Sequence, residues 1–84
     1  MTVSENTARQ RALKHLAQYG YGGSFLSWIG GAMFPDNQAR TRQGLALAAS
    51  RIVRKMRDDG HITFNEEGNY TITQKGRDWL AENP

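Results

Sequence analysis

Residues 61–73, HITFNEEGNYTIT, are the one stretch of this chain that reads as β structure, and they constrain everything else. Ile62 and Phe64 alternate with polar residues on a first strand, and Tyr70 and Ile72 do so on a second. Asn65 to Asn69 form the loop, with Gly68 supplying the positive φ that such loops need. Pairing Phe64 with Tyr70 sets Ile62 opposite Ile72, so four bulky side chains share one face. A lone hairpin is marginal in water and must lie on something else. In a chain of 84 residues that something is a helical core, which makes the expected class α+β in one domain spanning 1–84, with flexible ends at 1–4 and 83–84.

The helices follow from periodicity and caps. SENTARQRALKHLAQYG places Ala12, Leu13, Leu16 and Ala17 at helical spacing. Ser4 or Thr7 can cap its start, with Gln10 completing a box for Thr7. The spacing predicts a helix over about 5–19. A second helix is expected from a Ser24 cap to Met33, with Phe25, Leu26, Trp28 and Ile29 in the core. FPDNQ is turn chemistry. A third helix is predicted over 41–58, capped by Thr41 and ended by Gly60. Thr73 caps a last short helix over 74–82, with Trp79 and Leu80 facing in.

Charge is distributed unevenly. Residues 40–57 hold six basic residues and no acid, whereas residues 58–84 hold six acids against two bases. A net charge of +3 therefore conceals a concentrated positive segment of the kind that attracts polyanions. The absence of cysteine excludes disulfides, thiolate metal sites and a cysteine nucleophile, and it suits a reducing cytoplasm, the expected compartment. No apolar run approaches the ~20 residues that cross a bilayer, and no signal peptide is visible, so no membrane partner is expected.

Projecting the third helix at ~100° per residue separates two faces. Leu45, Ala49, Ile52, Val53 and Met56 form the core side, with Ala48 at its edge. Gln43, Leu47, Ser50, Arg51 and Arg54 gather opposite, flanked by Lys55 and Arg57, with Arg40 and Arg42 at the start. A helix fits the DNA major groove, where arginine can pair with guanine, glutamine with adenine, and an apolar side chain can meet a thymine methyl. Arginines near the ends can hold phosphates. Leu47 is informative because it sits among polar neighbours with no core role.

The segments IVRKMRDDGHITF and NYTITQKGRDWL, together with the order helix, helix, helix, hairpin, helix, resemble the winged helix-turn-helix family of DNA-binding domains, as found in small bacterial and phage regulators. The first segment looks like the end of a recognition helix followed by a strand, and the second like a wing strand, a threonine cap and a lysine–glycine–arginine turn opening the final helix. The resemblance implies a three-helix core with a C-terminal hairpin wing. It makes SFLSWIGGAM the supporting helix and TRQGLALAASRIVRKMRD the recognition helix. It also implies double-stranded DNA as the partner, transcriptional regulation as the role, and a homodimer on two half-sites. The wing departs from the family, because Glu66 and Glu67 stand where Arg or Lys is common. Any wing contact then falls to Asn65, Asn69 or Thr71.

A protein-binding adaptor or inhibitor is the alternative, docking through Leu47 or through the Glu66 and Glu67 tip. A DNA-positioning part of a replication or packaging machine is a third. His15 reads as a helix-surface residue and His61 as a strand start, without metal-ligand spacing. Asp58 and Asp59 read as turn residues that need a nearby base, because carboxylates are unfavourable at a helix C-terminus. Trp28 and Trp79 read as core anchors. No cofactor and no enzymatic activity are expected.

Overall fold

The computed structural model describes residues 4–35 and 42–84; of Tyr21, Arg42, Gln43 and Leu45 it describes the backbone. Among the described residues, four α-helices and one antiparallel hairpin make up an α+β domain: α1 (Glu5–Tyr19), α2 (Leu26–Met33), α3 (Arg42–Asp58), β1 (Ile62–Phe64), β2 (Tyr70–Ile72) and α4 (Gln74–Glu82). The expected hairpin register is the observed one, with Ile62 opposite Ile72 and Phe64 opposite Tyr70. Among the described residues no helix is long and apolar enough to cross a membrane.

Local signals explain most boundaries. Ser4 caps α1 by accepting the Thr7 amide at 3.1 Å. Gln10 takes no part in a capping box; its amide donates to the Asn83 carbonyl at 2.8 Å and ties the chain's last residues to α1. Gly60, at φ 78°, turns the chain out of α3. Thr73 caps α4 by accepting the Gly76 amide at 3.1 Å. Thr41, the expected cap of α3, lies outside the described residues.

Ser24 does not cap α2. Its backbone pairs in both directions with Tyr70, at 2.9 and 2.8 Å, and adds a one-residue third strand beside β2. Its hydroxyl bonds His15 Nε2 at 2.8 Å. With both backbone and side chain engaged there, α2 starts one residue later than a Ser24 cap would set it, with Phe25 as the N-cap residue. The hairpin lies across two helices: β2 runs along α1, and β1 meets α3.

The core is centred on α1. Ala8, Ala12, Leu13 and Leu16 are fully buried against Ile29 and Met33 of α2, Ala49, Val53 and Met56 of α3, and Ile62 of β1. At roughly 1.5–3 kcal/mol for each large apolar side chain removed from water, this cluster is the main stabilising term. Arg11 adds a clasp from α1 to α2 by donating to the Met33 carbonyl at 3.0 Å. Trp79 and Leu80 pack on the cluster as expected, but Trp28 and Phe25 do not anchor it. They are 47% and 38% exposed. The short α2 spends its inward face on Leu26, Ile29, Gly30 and Met33, which leaves both rings on the flank.

One charged residue belongs to this interior. Arg9 is buried, with its guanidinium 2.7 Å from the Asp59 carboxylate, 3.2 Å from His61 Nδ1 and 5.6 Å above the Trp79 ring. It joins α1 to the turn after α3 and to α4. Asp59 thereby finds the base its position demands. The Arg9 Nε–H has no hydrogen-bond partner among the described residues, a cost the other contacts must offset.

Gly76 explains the lysine–glycine–arginine turn. A Cβ at this buried position would overlap the backbone carbonyl of His61, so the first turn of α4 can rest on the β1 entry only without a side chain. Two stability predictions follow from these contacts. Arg9→Ala should lower unfolding free energy by roughly 2–3 kcal/mol, as expected for loss of charged hydrogen bonds at a buried site. Gly76→Ala should cost about 1–3 kcal/mol despite alanine's better helix propensity, because backbone must move. Urea unfolding followed by circular dichroism checks both; a stabilised Gly76→Ala protein would refute the packing described.

Candidate nucleic-acid interface

The 17 residues of α3 divide as the periodicity requires. Ala49, Val53 and Met56 are buried, and Ile52 packs beside them. Leu47 is 68% exposed, the most exposed of the large apolar residues among those described. Arg51, Arg54, Lys55 and Arg57 are all exposed, and Ser50 is half-buried. Arg40 lies outside the described residues, and for Arg42 and Gln43 only the placement at the start of α3 is described.

The exposed bases are not equivalent. Lys55 Nζ lies 3.2 Å from Glu5 Oε2, with both side chains about half exposed. A pair so wetted contributes little, typically under ~1 kcal/mol, and releases its lysine readily. The Arg57 guanidinium lies 4.4 Å over the Phe64 ring of β1. Stacking holds the plane of the group but leaves its N–H edges open to an anion. Both residues also sit in the last turn, where positive charge suits the helix dipole. Arg51 and Arg54 form neither an ion pair nor a hydrogen bond with any described residue. The Ser50 hydroxyl is satisfied within its own helix, donating to the Leu47 carbonyl at 2.9 Å. Asp58 stands exposed one turn beyond Arg54 and bounds the basic face at its C-terminal end.

The hairpin tip is built by its asparagines. Asn65 Oδ1 accepts the Glu67 and Asn69 amides at 2.9 and 3.0 Å. The side-chain amides of Asn65 and Asn69 both donate to the Gly22 carbonyl at 3.2 Å, which pins the loop to the 3-10 turn Gly20–Gly22 after α1. Thr71 is half-buried opposite Thr63. Glu66 and Glu67 are exposed. The expected site residues thus fall into two groups. Leu47, Ser50, Arg51, Arg54, Lys55 and Arg57 share the accessible part of α3, whereas Asn65 and Asn69 shape the loop and Thr71 packs beside it.

Two contacts escaped sequence reasoning. The Arg57 and Phe64 pair depends on how the hairpin meets α3, which no local pattern encodes. Arg9 did leave a signal: it stands at i, i+3, i+4 and i+7 from Ala12, Leu13 and Leu16, on the apolar stripe of α1.

His61 stands at the entry to β1 and His15 on α1, as the sequence suggested, but both are less exposed than surface residues would be. His15 is half-buried on Ser24, and burial lowers its pKa below 6.5. His61 is buried, and its pKa is lowered by burial first and by the Arg9 guanidinium second, with Asp59 opposing and Lys75 adding to the fall. Asp59 lies below the usual carboxylate range because Arg9 hydrogen-bonds its charged form.

Comparison with protein-family models, curated proteins and solved structures finds no match for this chain.

The titrations act on stability in one direction. The unfolded chain takes up protons on its histidines as the pH falls through about 6.5, before the folded protein does, so stability declines below that pH and levels off once the folded imidazoles are charged. Asp59 adds a second loss where carboxylates protonate, below pH ~4. The melting temperature should therefore fall between about pH 7.5 and 5. His61→Asn, which keeps an acceptor near Arg9, should flatten that fall. A melting temperature that rises on acidification would contradict the burial of both imidazoles.

Proposed function

We propose that this chain is a winged helix-turn-helix domain that binds double-stranded DNA sequence-specifically by laying α3 in the major groove, in the service of transcriptional regulation. The observation that carries this reading is the pair Arg51 and Arg54, exposed and without a partner among the described residues, beside Leu47 on a helix whose other face is locked into the core. Forked guanidinium groups without a partner among the described residues can pair with guanine edges, and Leu47 can meet a thymine methyl. Lys55 and Arg57, each lightly held, can turn to phosphates. The layout agrees with a winged helix. Ser24 extends the hairpin sheet between α1 and α2, and β1 delivers Phe64 to the end of α3. With Asn65 and Asn69 occupied in the loop and carboxylates at its tip, the hairpin acts as a brace for α3, and the helix carries the base contacts.

A protein partner is the second reading, favoured by the exposure of Leu47 and by the acidic tip. Salt separates the two. Each phosphate contact contributes about −0.9 to the slope of log K against log salt, so duplex binding weakens steeply with salt. Arg51→Ala combined with Arg54→Ala should weaken binding to a duplex selected from a random pool at least tenfold, with the melting temperature unchanged. An unaltered affinity at matched salt rejects α3 as the reading helix. No shift of any duplex at low salt favours the protein partner.

A further inference from the structure

The hairpin has a second face. Thr63 and Thr71 stand opposite each other in the register and, by strand alternation, project away from the side that carries Ile62 and Ile72. Both threonines line a cleft of about 580 Å³, which the start of α4 bounds through Gln74 and Arg77. That size falls within the ~300–1,000 Å³ of small-molecule sites. The cleft is also preformed. The Thr73 amide bonds the His61 carbonyl at 3.0 Å, and its hydroxyl bonds both the Gly60 carbonyl and the Gly76 amide, which sets α4 against the hairpin. At the loop end Asn65 is pinned to Gly22.

The polar groups of the cleft are uncommitted by comparison. With the described residues, the Thr63 and Thr71 hydroxyls and the Arg77 guanidinium form neither a hydrogen bond nor an ion pair. Gln74 donates from Nε2 to Asp78 Oδ1 at 2.9 Å, which leaves its Oε1 to accept. We propose that this cleft binds a small hydroxylated carboxylic acid, with its carboxylate on Arg77 and its hydroxyls on Thr63, Thr71 and Gln74.

Charge and hydrogen bonding select that class. Among the described residues Arg77 is the one charged residue of the lining, and a guanidinium fork pairs with a carboxylate through two parallel N–H bonds. Glu66 and Glu67 follow Asn65 at the loop end of the cleft, and Asp78 follows Arg77. These carboxylates oppose a second negative charge, and a polyanion such as a nucleic-acid backbone would have to run past them. A ligand with a single acid group meets the arginine alone. Threonine hydroxyls both donate and accept, as ligand hydroxyls do, so each can be satisfied in more than one pose. An apolar acid would cover the threonines without giving their hydroxyls a partner. The inference does not depend on the duplex-binding reading, since none of the residues it uses lies on α3.

NMR titration of the isotope-labelled full chain with gluconate tests the proposal, at constant ionic strength and up to about 50 mM, which covers millimolar dissociation constants. Amide shifts should saturate, with the largest changes at Thr63, Thr71, Gln74 and Arg77. Sorbitol, which keeps the hydroxyls, and acetate, which keeps the carboxylate, should each bind at least tenfold more weakly. Arg77→Gln should weaken gluconate binding at least tenfold, and Thr63→Val with Thr71→Val at least threefold. Absence of saturable shifts overturns the site, and so does gluconate affinity undiminished by Arg77→Gln. Acetate bound as tightly as gluconate overturns it as well, because the hydroxyls then contribute nothing. If circular dichroism shows that a variant does not fold, the wild-type titrations decide: gluconate shifts centred outside the cleft remove the proposal, and shifts centred on it with the expected order of the three probes support it.

Discussion

A single guanidinium under the end of α3 holds this domain's architecture together. Arg9 reaches from α1 to Asp59 in the turn after α3, to His61 at the entry to β1, and across the face of Trp79 in α4. The Thr73 amide bonded to the His61 carbonyl and Gly76 packed against the same carbonyl hold α4 to the β1 entry, and Arg9 adds α1 to that junction. Burying a charge is expensive unless hydrogen bonds and ring contacts replace water. Most of the site's composition follows from that requirement: a carboxylate despite its poor position at a helix C-terminus, an imidazole kept neutral so that Nδ1 accepts, and an aromatic face.

The placement of α3 depends on this arrangement. Its apolar stripe is fixed by Ala49, Val53 and Met56, its C-terminal end by Arg9 through Asp59, and its last turn by the Phe64 ring under Arg57. A helix held along its length and at one end presents its outer side chains in a defined geometry. That geometry matters for reading a base sequence, where misplacing a guanidinium by an ångström loses the bidentate pair. It matters much less for general attraction to phosphate. The acidic half of the chain fits the same picture. Asp59 engages Arg9, a base that serves the fold, Asp58 closes the basic face, and the tip carboxylates are exposed on the hairpin loop.

Small size shapes the other surface. A domain of 84 residues has too little interior for all its aromatic residues. The eight-residue α2 can turn only one narrow face inward, and that face is filled by Leu26, Ile29, Gly30 and Met33. Trp28 and Phe25 therefore stay outside, beside Tyr19 at the end of α1. Their exposure reflects short-helix geometry as much as composition.

Much of the local structure was legible before any coordinates. Period-two alternation fixed the hairpin register, because a slip of one residue would turn Ile62 and Ile72 out to water. The 3.6-residue period separated buried Val53 and Met56 from exposed Arg51 and Arg54, and Gly60 and Thr73 marked their helix ends. These features depend on neighbours within a turn or a strand. Tertiary structure alone decided the remainder: Ser24 as a strand partner instead of a cap, β2 along α1, Trp28 outside and Arg9 inside. It also showed that, among the described residues, Lys55 and Arg57 have companions while Arg51 and Arg54 do not. Each of these depends on which segments meet across tens of residues. The chain's local pattern is indifferent to that choice, which is settled by competition for a limited interior and for hydrogen-bond partners.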